Sequence, residues 1–354
     1  MNLDNIKQIA RLDKEDMLDL IISFPNQCQD AIFISKKANI KSSYTREYAN
    51  IIFTGLGGSA IGADIVKGYI QDEVNVSIFV NRDYTMPAFT GKNSLVFVIS
   101  YSGNTEETLS AYSDATKRGA NIVVITSGGK LEKLAGKNNN AIILIPKGYP
   151  PRCALGYSFI PAVFVLSKLG IIKNKINEIQ KATDLLNGMQ NKELGPQVKS
   201  RLNISKTIAK RLQGKFPVIY ASDRLSSIAT RWRGQFAENS KTLASMHVFS
   251  EMNHNEIVGW DHPGQLLKNF VAIVLRSKDD HPRIKIRMDI TKAILKKNGF
   301  NIMEVDARGA CLLERMLSLV YIGDFTSFYL SILNKIDPTP VDRIMYLKKQ
   351  LAKK

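Results

Sequence analysis

The chain has 354 residues, of which 44% are hydrophobic and 23% charged, a composition that excludes a disordered protein and allows two domains of ordinary size. The net charge of +17 is spread over the whole length without basic segments interleaved with aromatics, so we expect no specific nucleic-acid partner. The absence of a membrane-length apolar run or a signal-peptide core, together with three widely spaced cysteines, leads us to expect a cytoplasmic protein that does not bind membranes.

The first half of the chain alternates between strand and helix patterns. Helical spacing over residues 6–37, with a break near residue 13, predicts leading helices. Apolar runs then predict five strands, at residues 51–53, 74–80, 94–99, 121–126 and 141–145. Because helices separate most of them, we predict a parallel sheet covered by helices on both faces.

The second half repeats this outline. Strands are predicted at residues 217–221, 246–249, 269–276 and 300–305, and a long apolar helix at 310–334. A polar, lysine-rich helix at 172–191 marks the boundary between an N-terminal domain, 1–171, and a C-terminal domain, 172–354. Pro340 fits the first turn of a terminal helix. The predicted fold class is therefore α/β, with two doubly wound parallel sheets plus N- and C-terminal helices.

A hydroxyl-rich turn follows the third predicted strand. Ser100, Ser102 and Thr105 precede a helical segment, and Gly103 lets the backbone come close to a ligand. The first N–H groups of a helix lack intrahelical partners and carry the positive end of its dipole, so the turn predicts an anion site. No Lys or Arg stands in the turn, which suits a sugar phosphate better than a nucleotide with magnesium. The alternative is an ordinary helix N-cap.

A glycine-rich turn follows the first predicted strand. Gly55, Gly57 and Ala60 fit the loose form of a dinucleotide-binding fingerprint, and Arg82 after the next strand could take a ribose phosphate. An NADP-dependent oxidoreductase is therefore one alternative, and a purely structural tight turn is another. This turn and the hydroxyl turn both lie at carboxyl ends of strands, so they can face one site.

Several segments together resemble a known family. Residues 57–59 with the turn at 100–105 resemble the phosphosugar-binding sugar isomerase (SIS) domain. Residues 152–158, 233–241 and 251–256 are similar to the bifunctional phosphoglucose/phosphomannose isomerases of archaea and some bacteria, and this resemblance extends from about residue 53 to the terminal helix. It implies two flavodoxin-like SIS domains and reversible conversion of glucose 6-phosphate or mannose 6-phosphate to fructose 6-phosphate, without a metal or another cofactor.

The resemblance also implies roles for individual residues. The implied phosphate-binding residues are Gly58, Ser59, Ser100, Ser102 and Thr105. Glu238 is implied to move a proton between C1 and C2, and Arg152 to stabilise a cis-enediolate intermediate. Lys348 and His254, the latter contributed by the other subunit of a homodimer, are implied to open the sugar ring. Thr339 is loosely implied in rotation about C2–C3, which goes with mannose 6-phosphate turnover.

The chemistry itself supports such a set of side chains. One carboxylate near both carbons can carry the proton, and a fixed guanidinium beside the enediolate oxygens stabilises the intermediate more than the substrate. An imidazole suits the proton transfers of ring opening near neutral pH. Lys349 adjoins Lys348, and successive helical residues point about 100° apart, so only one of them can face inward.

Each assignment has a plainer alternative. Glu238 could form a surface ion pair with Arg231 or Arg233. His254 could belong to an ordinary surface loop, and Arg152, which follows two prolines, could simply be exposed. A non-catalytic phosphosugar-binding regulator on the same fold is the main alternative function, although no DNA-binding module is visible in the sequence.

Overall fold

The computed structural model describes residues 1–353 and divides into two compact units, each with one parallel sheet. The first unit comprises Ser23–Leu186 and Gly309–Glu314, and the second comprises Met1–Ile22, Asn187–Arg308 and the chain from Arg315 onward. Residues 1–22, which we expected in the first domain, thus group with the second unit, and residues 172–186 with the first. Contacts of the first segment agree with this grouping: the Asp4 carboxylate accepts hydrogen bonds from the Ser200 N–H at 2.8 Å and from Lys206 at 3.2 Å.

The first unit contains a five-stranded sheet. Its strands are β1 (Asn50–Thr54), β2 (Ser77–Asn81), β3 (Ser94–Ser100), β4 (Asn121–Thr126) and β5 (Ala141–Leu144). They are all parallel in the order β2-β1-β3-β4-β5, which confirms the doubly wound, flavodoxin-like prediction. The second strand begins at Ser77, and not at 74 as predicted, because the neighbouring β1 begins at Asn50, the partner of Ser77.

Helices cover both faces of this sheet. They are α3 (Phe24–Lys37), α4 (Gly58–Ile70), α5 (Glu106–Lys117), α6 (Gly129–Lys137), α7 (Leu155–Lys168) and α8 (Ile176–Met189), preceded in the chain by α1 (Ile6–Ala10) and α2 (Met17–Ile22). Every residue of β1 and β3 is buried, as expected for central strands of a parallel sheet. On one face, Tyr112 of α5 and Leu131 of α6 pack with Val96 and Val124.

The second unit contains a four-stranded parallel sheet. Its strands are β6 (Phe216–Ser222), β7 (Ser245–Phe249), β8 (Phe270–Arg276) and β9 (Asn301–Asp306), in the order β7-β6-β8-β9. Its helices are α9 (Ile204–Leu212), α10 (Ser226–Asn239), α11 (Gly264–Leu267), α12 (Pro282–Lys297), α13 (Leu312–Leu333) and α14 (Asp342–Leu351). All four predicted strands and both sheets are confirmed.

The last two helices differ sharply in burial. α13 is long and apolar enough to cross a membrane, but the qualifying window is entirely buried, as in the core helix of a globular domain. The Trp232 indole donates a hydrogen bond to the Leu319 carbonyl of α13 at 2.8 Å. α14 has no buried residue. It begins at Asp342 after an N-cap at Val341, so the prediction that Pro340 lies in its first turn is wrong: the backbone of Val341 is still non-helical.

Candidate active site

The glycine turn after β1 is shaped by close backbone approach. A Cβ on Gly55 would lie 2.6 Å from the Ile99 carbonyl oxygen, so only glycine lets the end of β1 lie this close to β3. Gly57 has φ of 54°, which again favours glycine. Gly58 then opens α4, and Ser59 in its first turn is buried. The hydroxyl and the amides of this turn are therefore held by a rigid backbone.

The hydroxyl turn after β3 departs from an ordinary N-cap. Thr105 occupies the N-cap position of α5, but its side chain makes no capping hydrogen bond. Its Oγ1 instead accepts from the Ser100 hydroxyl at 3.2 Å. Ser102 is exposed and its Oγ accepts from the Asn104 N–H at 3.3 Å. Because no side chain caps them, the first amides of α5 keep their ability to bind an anion.

These two turns are neighbours at the carboxyl ends of two adjacent strands in the first sheet. β1 pairs with β3, with Thr54 opposite Val98. After β1 the chain forms β2 on one side of β1, and it then crosses to form β3 on the other side. The gap between their carboxyl ends is thus the switch point, where doubly wound sheets bind ligands. The predicted phosphate-binding residues Gly58, Ser59, Ser100, Ser102 and Thr105 all belong to these two turns.

Arg152 lies against the glycine turn. It sits in a short 3₁₀ turn, Pro151–Cys153, and is only 4% exposed, so the alternative of an exposed arginine is wrong. A Cβ placed on Gly58 would lie 2.6 Å from the Pro151 carbonyl oxygen and 3.4 Å from the Arg152 Cα. The backbone of a buried arginine therefore lies directly against the first residue of α4, at the glycine turn.

Glu238 lies at the end of α10, in the second unit. It is partly buried, and its carbonyl accepts a hydrogen bond from the Lys241 ammonium at 2.7 Å. The same ammonium donates to the Pro338 carbonyl at 3.1 Å. Lys241 thus ties the end of α10 to the turn that carries Thr339. Glu238 and Thr339, two of the predicted site residues, are linked through a single cation.

The rest of α10 is fixed by a buried polar contact. Arg231 donates two hydrogen bonds to the Asp324 carboxylate of α13, at 3.0 and 2.7 Å. Gln235, one turn further along α10, donates to the same carboxylate at 2.8 Å. Sequence reasoning missed this anchor. Its signal is an acidic residue in the middle of an apolar helix, which must find a buried donor.

His254 is not close to Glu238 within one chain. α10 has 14 residues and spans about 21 Å, and it ends where β7 is about to begin. His254 follows the opposite end of β7, in a short 3₁₀ turn, and is exposed. Glu238 therefore lies toward the amino ends of the strands of the second sheet, and His254 lies toward their carboxyl ends. Lys348 and Lys349 are both exposed on α14, so the choice between them stays open.

The switch point of the second sheet has different chemistry. The Ser222 hydroxyl at the end of β6 and the Ser277 N–H after β8 both donate to the Asp280 carboxylate, at 2.5 and 2.7 Å. Burial raises the pKa of Asp280, although these two hydrogen bonds oppose the rise. Donors that could hold an anion are thus already bound to a carboxylate of the chain itself. Only the first sheet presents a neutral turn at its switch point.

The chain matches two family models: the SIS domain over residues 45–148, and the bacterial phospho-glucose isomerase C-terminal SIS domain over residues 201–351. It is 42% identical over 337 residues to the bifunctional phosphoglucose/phosphomannose isomerase of Caldicellulosiruptor bescii, which spans 95% of this chain and 99% of that protein. The chain belongs to the bifunctional phosphoglucose/phosphomannose isomerase family. The family enzyme of Aquifex aeolicus is 38% identical over 307 residues, 86% of this chain and 91% of the relative.

A solved structure, a hypothetical protein from Thermus thermophilus, matches with a TM-score of 0.75 at 14% identity, over 98% of this chain and 92% of that one. At this identity the match supports the fold alone. Membership of the bifunctional phosphoglucose/phosphomannose isomerase family confirms the expected SIS domains and isomerase class. The roles of individual residues stay predictions.

Two further observations concern the NADP alternative and possible metal sites. The Arg82 guanidinium, considered above for a ribose phosphate, pairs with the Asp64 carboxylate of α4. Burial raises the pKa of Asp64 despite the opposing charge of Arg82. Across residues 1–353, no three His, Cys, Asp or Glu side chains are grouped as ligands of a metal ion.

Proposed function

We propose that this protein interconverts glucose 6-phosphate and mannose 6-phosphate with fructose 6-phosphate. The observation that carries the proposal is the turn at the first switch point, where hydroxyls and uncapped helix amides meet without a lysine or arginine in the turn. Neutral donors of this kind suit the phosphate of a small sugar, which needs no magnesium. The names of the relatives agree with these substrates.

The proposed reaction begins with ring opening. His254 and Lys348 would take the proton from the C1 hydroxyl and return one to the ring oxygen, which breaks the C1–O5 bond and leaves an open-chain aldose. Imidazole suits this task because its ordinary pKa of about 6.5 lets it accept and donate protons near neutral pH. The substrate phosphate stays in the first switch point and orients the chain.

Isomerisation then moves one proton between carbons. Glu238 removes the proton from C2, the C1 oxygen takes up negative charge, and a cis-enediolate forms. Glu238 returns the proton to C1 while a hydroxyl proton passes from O2 to O1, which yields the ketose. Arg152 would stabilise the negative charge on the enediolate oxygens, and such stabilisation usually supplies the largest share of rate enhancement. No electron leaves or enters the sugar, so the proposal needs neither a metal nor NADP.

The proposal includes a homodimer that shares its sites. His254 and Glu238 lie toward opposite ends of the strands of one sheet, and His254 is exposed. A second copy would therefore have to supply His254 to the site that uses Glu238. A cytoplasmic location, expected from the wide spacing of the three cysteines, belongs to the same proposal.

The first experiment measures turnover of fructose 6-phosphate with a chelator present and without added nucleotide. Glu238→Gln keeps the size of the side chain but removes the proton acceptor, so we expect kcat to fall by about 10²–10⁴ with KM little changed. Glu15→Gln, a change at an exposed glutamate, is the matched control and should leave turnover unchanged. Full turnover by Glu238→Gln would remove Glu238 from the mechanism. Saturable binding without turnover by the parent would favour the non-catalytic regulator.

A second experiment addresses the shared site. Glu238→Gln and His254→Ala proteins, each strongly impaired alone, are mixed under conditions that exchange subunits. Each hybrid dimer would contain one site with both native residues and one with neither. Random exchange of equal amounts makes half of the dimers hybrids, so we expect activity to return toward about a quarter of the parent level. Verified hybrids without recovered activity would contradict a site built from two chains.

A further inference from the structure

The loop that carries His254 is held at both ends by the core of the second unit. Met252, two residues before His254, is fully buried, and Trp260, six residues after it, is 4% exposed. Both belong to the same hydrophobic cluster as Tyr220 of β6. An ordinary surface loop has few such attachments. The exposed histidine therefore stands on a segment that cannot drift freely.

Hydrogen bonds fix the residues on each side of His254. The Asn253 side-chain amide donates to the Thr291 hydroxyl of α12 at 2.9 Å. On the other side, the Tyr220 hydroxyl donates to the Glu256 carboxylate at 2.5 Å. Between these two anchors, the exposed residues are His254 and Asn255.

The Glu256 contact is part of a chain of donors. The Trp260 indole N–H donates to the Tyr220 hydroxyl at 2.9 Å, and that hydroxyl donates in turn to Glu256. Burial raises the pKa of Tyr220, and the neighbouring Glu256 raises it further, so the phenol keeps its proton and stays a donor. Every member of the chain has a partner, which makes the contact rigid.

We propose that Glu256 is a positioning residue for His254, and that it acts through its hydrogen bond to the buried Tyr220. This inference rests on the proposed role of His254 in ring opening. The Glu256 carboxylate is only two residues from His254 in the chain. Its hydrogen-bond partner, Tyr220, lies on β6, a central strand of the second sheet. Glu256 does not touch the substrate in this proposal; it sets where the imidazole stands.

The test compares variants that remove or keep the acceptor. Glu256→Ala removes it, and we expect kcat to fall about 10- to 100-fold with little change in KM, since a 1 Å misplacement of a catalytic group can cost on the order of 10²-fold. Glu256→Gln keeps an oxygen that can accept from Tyr220, so it should stay within about threefold of the parent. Asp261→Ala deletes another acid of the same loop and should have no effect.

A double-mutant cycle separates positioning from a general structural effect. If Glu256 acts only through His254, then Glu256→Ala should cause no further loss of kcat in a His254→Ala background. Thermal unfolding of each variant identifies any that fails to fold, and Tyr220→Phe, which keeps the ring, provides a second route to the same lost bond.

The outcomes distinguish this inference from the function it rests on. Equal turnover of Glu256→Ala and parent, with His254→Ala impaired, would overturn the positioning role alone. The positioning role would also be overturned if Glu256→Ala lowered kcat by the same factor in the parent and in the His254→Ala background. Normal turnover by His254→Ala would instead remove His254 from the mechanism, and the inference with it.

Discussion

Gly103 gives the sharpest test of the phosphate turn. It has φ of 65°, and a Cβ placed on it would lie 1.7 Å from the Gly128 carbonyl oxygen, where real contacts are essentially never below 3.0 Å. Gly103→Ala therefore forces the hydroxyl turn or its neighbour to move by more than 1 Å. The left-handed backbone costs about 1–2 kcal/mol for alanine, and overpacking adds about 1–3 kcal/mol. We expect a loss of about 2–5 kcal/mol in the free energy of unfolding.

The same substitution should weaken substrate binding. Movement of the turn displaces the hydroxyls and the uncapped amides of α5, so we expect KM for fructose 6-phosphate to rise at least 10-fold. Urea unfolding gives the stability and a coupled assay gives KM. Gly136→Ala is the matched control, because a Cβ there meets nothing within 4 Å and the residue lies within α6. A Gly103→Ala protein with parental stability and KM would refute this reasoning about the turn.

Three further predictions concern groups away from the turns. Asp324→Ala removes the carboxylate that pairs with the buried Arg231 and should cost about 3–5 kcal/mol in urea unfolding. Replacing both partners, by Arg231→Met with Asp324→Leu, should cost much less, and equal losses would contradict the pairing. Burial raises the pKa of Cys28 to about 12, so its thiol should resist alkylation at pH 8 until the protein unfolds; rapid native labelling would contradict its burial. Burial raises the pKa of Asp279, but hydrogen bonds from Arg315 outweigh it and hold the pKa below its ordinary value. The destabilisation by Asp279→Asn should therefore be full above the ordinary pKa of about 3.9 and shrink as pH falls through the lowered value; a pH-independent difference would contradict this.

Local patterns in the sequence were enough to predict the nine strands. Each is a short apolar run bounded by turns, and in a parallel sheet that run is buried on both faces, so the signal is strong. The hydroxyl turn was equally visible, because its hydroxyls stand together and directly after a strand. The sequence could not decide whether Thr105 caps its helix, since that depends on which way one hydroxyl turns. In the structure it turns to Ser100.

Long-range contacts escaped prediction for a physical reason. Asp324 and Arg231 are 93 residues apart, and the sequence around them does not indicate which arginine of the chain pairs with Asp324. Hydrophobic periodicity likewise could not predict that Lys348 and Lys349 are both exposed, because within the described chain α14 buries neither of its faces. Patterns in sequence report local burial well; they report the choice of partner poorly.

The two switch points show why a repeated architecture need not repeat a function. In both sheets the N-cap of the next helix, Thr105 or His281, lies five residues after the end of the strand. In the first sheet the four intervening residues are neutral. In the second they are Ser277, Lys278, Asp279 and Asp280, and Asp279 pairs with Arg315. In the second turn the Ser222 hydroxyl and the Ser277 N–H already donate to Asp280, so the donors that could bind a phosphate are occupied by a carboxylate of the chain itself. In the proposed isomerase, the first switch point would therefore hold the phosphate, and the second would not.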